Sequence, residues 1–140
     1  MVDNLMNISQ DIEIIPAHVW TPWFSIFGSK SGFDSVEECF ADRAKHIHAL
    51  ETGLSSDPEM NWRLSSLDKY TLVSFSDSHS AWPWRLGREA SVFEMKTLDY
   101  RSIIRAIRTR ERLVETIEVD PSYGKYTVSY THLRAHETSL

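Results

Sequence analysis

Four apolar, β-branched segments recur along the chain, at Ile12 to Ala17, Ile47 to Leu50, Tyr70 to Phe75 and Leu113 to Val119. Helically spaced stretches lie between several of them, and this alternation predicts an α/β fold. Ser35 or Asp34 can cap a helix from Val36 to Lys45, with Glu37 and Glu38 in a first turn where the helix dipole favours acids. Asp99 can cap another that runs through Arg110, with Tyr100, Ile103, Ile104 and Ile107 on one apolar face. The connections after the expected strands are long and polar. In folds with parallel strands, functional residues gather on loops at the strands' carboxyl ends. Three of the four expected strands end in titratable groups: His18, Glu51, and the pair Asp77 and His79.

Composition allows one domain or a piece of a larger protein: 140 residues, 41% hydrophobic and 25% charged, with no low-complexity stretch. No apolar run approaches the roughly 18 residues that a membrane span needs. The start, MVDNLMNISQ, lacks the basic and apolar regions of a signal peptide, so no membrane partner and a cytoplasmic setting are expected. Cys39 is the single cysteine, which excludes an internal disulfide framework and a cysteine-rich zinc site. The formal charge of -5 repels phosphate on average, so a nucleic-acid partner requires a local basic patch.

The stretch YTLVSFSDSHSAW, residues 70 to 82, begins as a buried strand and turns abruptly polar. Residues two apart on a strand point to the same side, about 6.6 Å apart along it, so Asp77 and His79 can converge on one ion as carboxylate and imidazole ligands. His18, after the apolar IEIIPA, adds a second ligand type at the same expected edge. An Asp capping a turn beside a surface His is the ordinary alternative for the pair.

These residues carry a resemblance. IIPAHVWTPWFSIFGSKSGFDS, ALETGLSSDPEMNWRLSSLDKYTLVSFSDSHS, LGREASVFEM and VDPSYGKY, spanning roughly residues 10 to 126, resemble the carboxyl part of the PHP (polymerase and histidinol phosphatase) domain of the endonuclease Q family of DNA-repair nucleases. The resemblance implies a partial, distorted (β/α)7 barrel with metal ions at the carboxyl ends of its strands. It also implies cleavage of DNA on the 5′ side of deaminated bases such as uracil or hypoxanthine. Asp77 and His79 match the family's late D-x-H ligand motif, and His18 matches the His after the middle strand. The early H-x-H and the acidic ligands that follow it in the family have no counterpart within this sequence. Zinc is the expected ion for imidazole ligands, with manganese or magnesium as alternatives. Glu51, inside the family-specific ETGLSSDP stretch, is expected at the site as a metal ligand or as support for a ligating His.

Other residues bear on substrate. Trp20 and Trp23 follow His18, and Trp82 and Trp84 follow His79, so aromatic rings near the metal site can stack on a base drawn out of the duplex, although some of the four are expected to cap the core instead. Gly28, Ser29, Lys30, Ser31 and Gly32 form a polar loop with one cation, suited to a phosphate or to a plain turn. Arg85 and Arg88 follow the D-x-H pair and are expected to contact phosphate. Arg101, Arg105, Arg108 and Arg112 fall at spacings of four, three and four, a basic stripe or a solvated helix face, with Glu111 and Glu115 to neutralise its end. His46 and His48 would share one face of a strand, yet the family's paired histidines belong to its first strand, so they read as packed or surface imidazoles. No phosphate-cradling G-x-x-x-x-G-K-[ST] occurs, and an ATP site is not expected.

The last residues, from Thr127 to about Thr138, resemble the conceptual translation of a transposon-end sequencing adapter. The expected organisation is therefore residues 1–126 as the carboxyl part of a PHP domain and 127–140 as a non-native tail. The expected function is that of a fragment of a metal-dependent endonuclease acting on DNA with deaminated bases, inactive by itself for want of ligands. The rivals are a PHP phosphatase on a small phosphate ester and a non-catalytic binding domain. The aromatic WTPWFS loop suits a base better than a small metabolite.

Overall fold

The computed structural model describes residues 1–30 and 32–123. Its elements run α1 (Val2–Ile8), α2 (Val36–Phe40), β1 (Ala49–Glu51), α3 (Pro58–Asn61), β2 (Thr71–Val73), β3 (Ala90–Phe93), α4 (Tyr100–Thr109) and β4 (Leu113–Ile117), with short 3-10 turns between. The chain is mixed α/β with two small sheets among the described residues.

β1 and β2 pair in parallel, Leu50 opposite Leu72, and Ile14 adds one parallel bridge to Ile47 on the other side. The expected strand at Ile12 to Ala17 is thus reduced to a single bridge. Backbone bonds still steer it along β1, with the Glu51 N–H donating to Pro16 O and the Val19 N–H to Glu51 O, both at 3.1 Å. The expected strands at Ile47 and Tyr70 exist in shortened form. Leu113–Ile117 also forms, but it pairs antiparallel with β3, Ala90 opposite Ile117, and the register shifts between Val92 and Phe93. β3 was not among the expected strands, because ASVF is short and Glu89 and Glu94 bracket it.

Pleating places the core on both sides of the parallel layer. Leu50 packs with Val19, Trp20, Phe27, Val36 and Tyr70, while Ala49 and Val73 pack with Ile107 of α4. Ile103 and Ile104 join the second cluster, as the helical spacing predicts. Tyr100 does not join it: its ring is exposed, and its hydroxyl donates to Asp11 O at 2.7 Å.

Helix ends follow the capping rules. Ser35 accepts from the Glu38 N–H at 3.0 Å and Asp99 from the Ser102 N–H at 2.9 Å. α2 is shorter than its spacing predicts, because Ala41 takes φ 50 and the chain continues as a 3-10 turn to His46. α4 stops at Thr109, where Arg110 takes the left-handed conformation. No helix among the described residues is long and apolar enough to cross a membrane. The tail from Thr127, the end of the VDPSYGKY stretch and Ser31 of the polar loop lie outside the described residues.

Candidate active site

Beyond the carboxyl ends of the parallel segments lies a cavity of about 810 Å³. His18, Asp77 and His79 line it, as do Trp23, Arg85 and Arg88. The loops after three adjacent parallel segments therefore converge on one space.

The local backbone there is unusual. His18 (φ 32), Phe24 (φ 59) and Asp77 (φ 42) are non-glycine residues at positive φ, and all three line the cavity. Such conformations persist only where surrounding structure over-determines them, and they concentrate at functional sites. Gly53 (φ 62) shows what does the determining. A Cβ on it would stand 2.8 Å from His18 Cβ, so the His18 turn seats directly on the ETG turn after β1.

Asp77 and His79 meet by a route other than the expected one. β2 ends at Val73, so the pleat does not align them; the positive φ at Asp77 turns the chain and brings His79 Nε2 within 3.4 Å of Asp77 Oδ1. Both side chains are exposed, at 89% for His79 and 56% for Asp77. His18 Nδ1 lies 3.2 Å from Thr21 Oγ1.

Glu51 is buried, and its Oε2 accepts from the His18 backbone N–H at 2.6 Å. It therefore holds the His18 loop by the main chain rather than by the imidazole. Burial pushes its carboxyl above the ordinary range, opposed by the His18 N–H and reinforced by the Asp77 charge. Imidazole and carboxylate donors suit a divalent ion chemically, but among the described residues no three His, Cys, Asp or Glu side chains close around one point. The described residues do not by themselves build a metal site.

The aromatic and basic candidates separate. Trp23 is half exposed and lines the cavity. Trp20 does not: it is a core residue, 2% exposed, its Nε1–H donating to Asn61 Oδ1 at 2.8 Å and its ring 4.7 Å from that of Phe27. Stacking on a base is excluded for it in this arrangement. Lys30 is exposed but does not line the cavity; its backbone N–H closes a turn on Pro22 O at 2.9 Å. Arg88 reaches back to Ser76 O at 3.0 Å, clasping the loop that carries Asp77.

The arginine stripe is broken. Arg108 is bonded to the buried Glu13 at 2.6 Å, Arg105 lies 3.6 Å from Glu111, and Arg112 falls beyond the helix. His48 Nδ1 lies 2.9 Å from the same Glu13, which gives it a structural partner, and His46 closes a 3-10 turn instead of sharing a strand face with it. Phe24, Leu54 and Ser55 also line the cavity and were not singled out by sequence reasoning, although they lie in the WTPWFS and ETGLSS stretches.

No protein-family model matches the chain. It is 32% identical over 127 residues to the uncharacterized protein YqxK of Bacillus subtilis, covering 88% of this chain and 32% of that protein. It is also 32% identical over 112 residues to the uncharacterized protein MJ0043 of Methanocaldococcus jannaschii, covering 76% of this chain and 13% of that one. The chain thus spans a third or less of the length of these curated relatives. Among solved structures it is similar to the lesion-specific endonuclease PfuEndoQ of Pyrococcus furiosus, at a TM-score of 0.77 and 30% identity, covering 99% of this chain and 35% of that one. It is similar too to an endonuclease Q bound to a 27-mer duplex substrate with an abasic lesion at its active site, at a TM-score of 0.79 and 32% identity, covering 91% of this chain and 32% of that one. In fold, the chain is endonuclease Q-like.

Proposed function

We propose that this chain is part of a DNA-repair endonuclease that hydrolyses a phosphodiester bond beside a deaminated base, within a PHP barrel of which it forms the carboxyl portion. One observation carries the reading. In a chain whose fold matches endonuclease Q, the cavity at the parallel strands' carboxyl ends gathers His18, Asp77 and His79 together with Trp23, Arg85 and Arg88. Two guanidinium groups there can meet a phosphate that the chain's average charge would repel. Trp23 offers an apolar face to an extruded base, a contact worth about 1–3 kcal/mol.

His18, Asp77 and His79 donate part of the ligand set of a divalent metal in this proposal, zinc before manganese or magnesium. The described residues do not complete that set, so the isolated chain should not nick DNA.

The test uses the longer gene product that contains this chain and a duplex carrying one uracil or hypoxanthine. Strand cleavage at the lesion is expected, and His18→Ala and Asp77→Ala should each lower it by roughly 100-fold or more, since disturbing even a supporting metal contact costs about 10- to 100-fold. Equal cleavage of undamaged duplex, or indifference to both substitutions, defeats the assignment. Hydrolysis of a small phosphate ester with intact DNA left untouched would favour the phosphatase instead.

A further inference from the structure

The loop of residues 75–88 carries Asp77, His79, Arg85 and Arg88, which line the cavity, and its two ends meet at Ser74 and Glu89. Ser74 precedes it and Glu89 follows it, and both are buried, at 0% and 2% exposure. Ser74 Oγ lies 3.1 Å from Glu89 Oε2 and 3.3 Å from Glu118 Oε2. A hydroxyl has one hydrogen, so it cannot donate to two carboxylates. The neighbouring Ser91 hydroxyl is already committed, donating to Ser74 O at 3.0 Å while it accepts from the Ser74 N–H at 2.9 Å. Ile117 O, 3.4 Å from Ser74 Oγ, is a further acceptor, so the two acids are bridged through Ser74 only when one of them supplies a second hydrogen.

Glu118 is the better anion. Thr52 Oγ1 lies 3.2 and 3.1 Å from its two oxygens, with Val73 O as a further acceptor at 3.2 Å, and the Thr116 hydroxyl also favours its charged form. Among the described residues, Glu89 has besides Ser74 a long 3.5 Å contact from the Val119 N–H. The acid hydrogen therefore belongs on Glu89: Glu89 O–H donates to Ser74 Oγ, whose own hydrogen passes to Glu118.

We propose that Glu89 is a positioning residue whose proton, relayed through Ser74 to Glu118, fastens the two ends of the 75–88 loop and so sets where Asp77, His79, Arg85 and Arg88 stand. The role of those four rests on the functional reading above; the fastening itself does not. Loss of the proton to water leaves the buried Glu89 and the half-buried Glu118 carboxylates competing for one hydrogen, and the neck of the loop loosens. The groups that face it reinforce this. Burial, then the charges of Glu118 and Glu51, push the Glu89 carboxyl up to about 7, against the Ser74 and Val119 contacts, while Asp57 faces Glu118.

Trp82 and Trp84 stand in the same loop with stacked rings, 5.0 Å apart and inclined by 11°, so their coupled circular-dichroism signal reports the loop's geometry. In the 140-residue chain that signal should change through one transition centred near pH 7. Glu89→Gln, whose amide donates as the acid does, should hold the low-pH signal throughout. Glu89→Ala, which removes both the proton and the competing carboxylate, should show no transition near pH 7, and Glu118→Gln should move the transition to lower pH. A wild-type chain without the transition, or a Glu89→Gln chain that keeps it, overturns the proposal. Should the variants fail to fold, carbon-13 NMR of the wild-type glutamate carboxyls decides: one must titrate near pH 7, and none doing so is refutation. Neither measurement involves DNA, so its failure leaves the nuclease reading intact, and a failure of nicking leaves the fastening intact.

Discussion

Trp20 and Trp23 stand three positions apart, and the fold sends one into the core and the other to the cavity wall. The sequence could not tell them apart, because HVWTPW lies in an irregular segment where neither a helical nor a strand period assigns faces. The contrast is testable. Trp20→Phe removes the donor to the buried Asn61 Oδ1 and should lower stability by about 1–3 kcal/mol, read from the urea midpoint, with no specific effect on DNA affinity. Trp23→Ala should leave stability nearly unchanged and weaken lesion binding by roughly 5- to 150-fold, the equivalent of about 1–3 kcal/mol. The reverse pattern would mean that the two rings have been assigned the wrong way round. His18, Asp77 and His79 were legible as residues but not as geometry: the pair meets through a positive-φ turn, which alternation along a strand cannot foretell.

α4 was the most legible element. Its cap at Asp99 and its isoleucine spacing place Ile103, Ile104 and Ile107 against β1 and β2. Ile107 is 3% exposed, so Ile107→Ala should cost about 2–5 kcal/mol, measured by denaturant unfolding. A cost below that of an exposed substitution on the same helix, such as Arg101→Ala, would show that α4 is not anchored there. The elements that sequence misjudged were those decided by distant partners. β3 has too few apolar residues to announce itself and forms because β4 lies beside it. The Ile12 to Ala17 segment looked like a full strand, yet it contributes one bridge and then leaves to form the His18 turn.

At the scale of the whole molecule, the buried acids reverse the usual acid response. A carboxyl whose folded pKa lies above its ordinary value makes the folded state bind more protons, so its stabilising contribution is complete below the ordinary value of 4.5 and is lost as pH rises through about 7. Glu51 and Glu118 are shifted in the same direction by burial. Asp99 and Asp120, held low by backbone N–H groups, act oppositely and only in acid. The chain should therefore unfold at lower urea on the alkaline side of neutrality than on the mildly acidic side, and Glu89→Gln should flatten that slope. A urea midpoint that rises with pH across this window would contradict the assignment. None of this was legible beforehand, since nothing local in GREASV or TIEVD reveals that two glutamates far apart in sequence meet at one buried serine.

Glu13 is nearly sealed from water, and it grips His48 and Arg108, its partners 35 and 95 positions further along. During synthesis the His48 half of this grip can form as soon as β1 is made, whereas the Arg108 half waits until α4 has left the ribosome, and contacts so far apart in sequence are slow to close. A nascent chain halted before Arg108 should leave residues 10–13 more open to protease than one that includes α4.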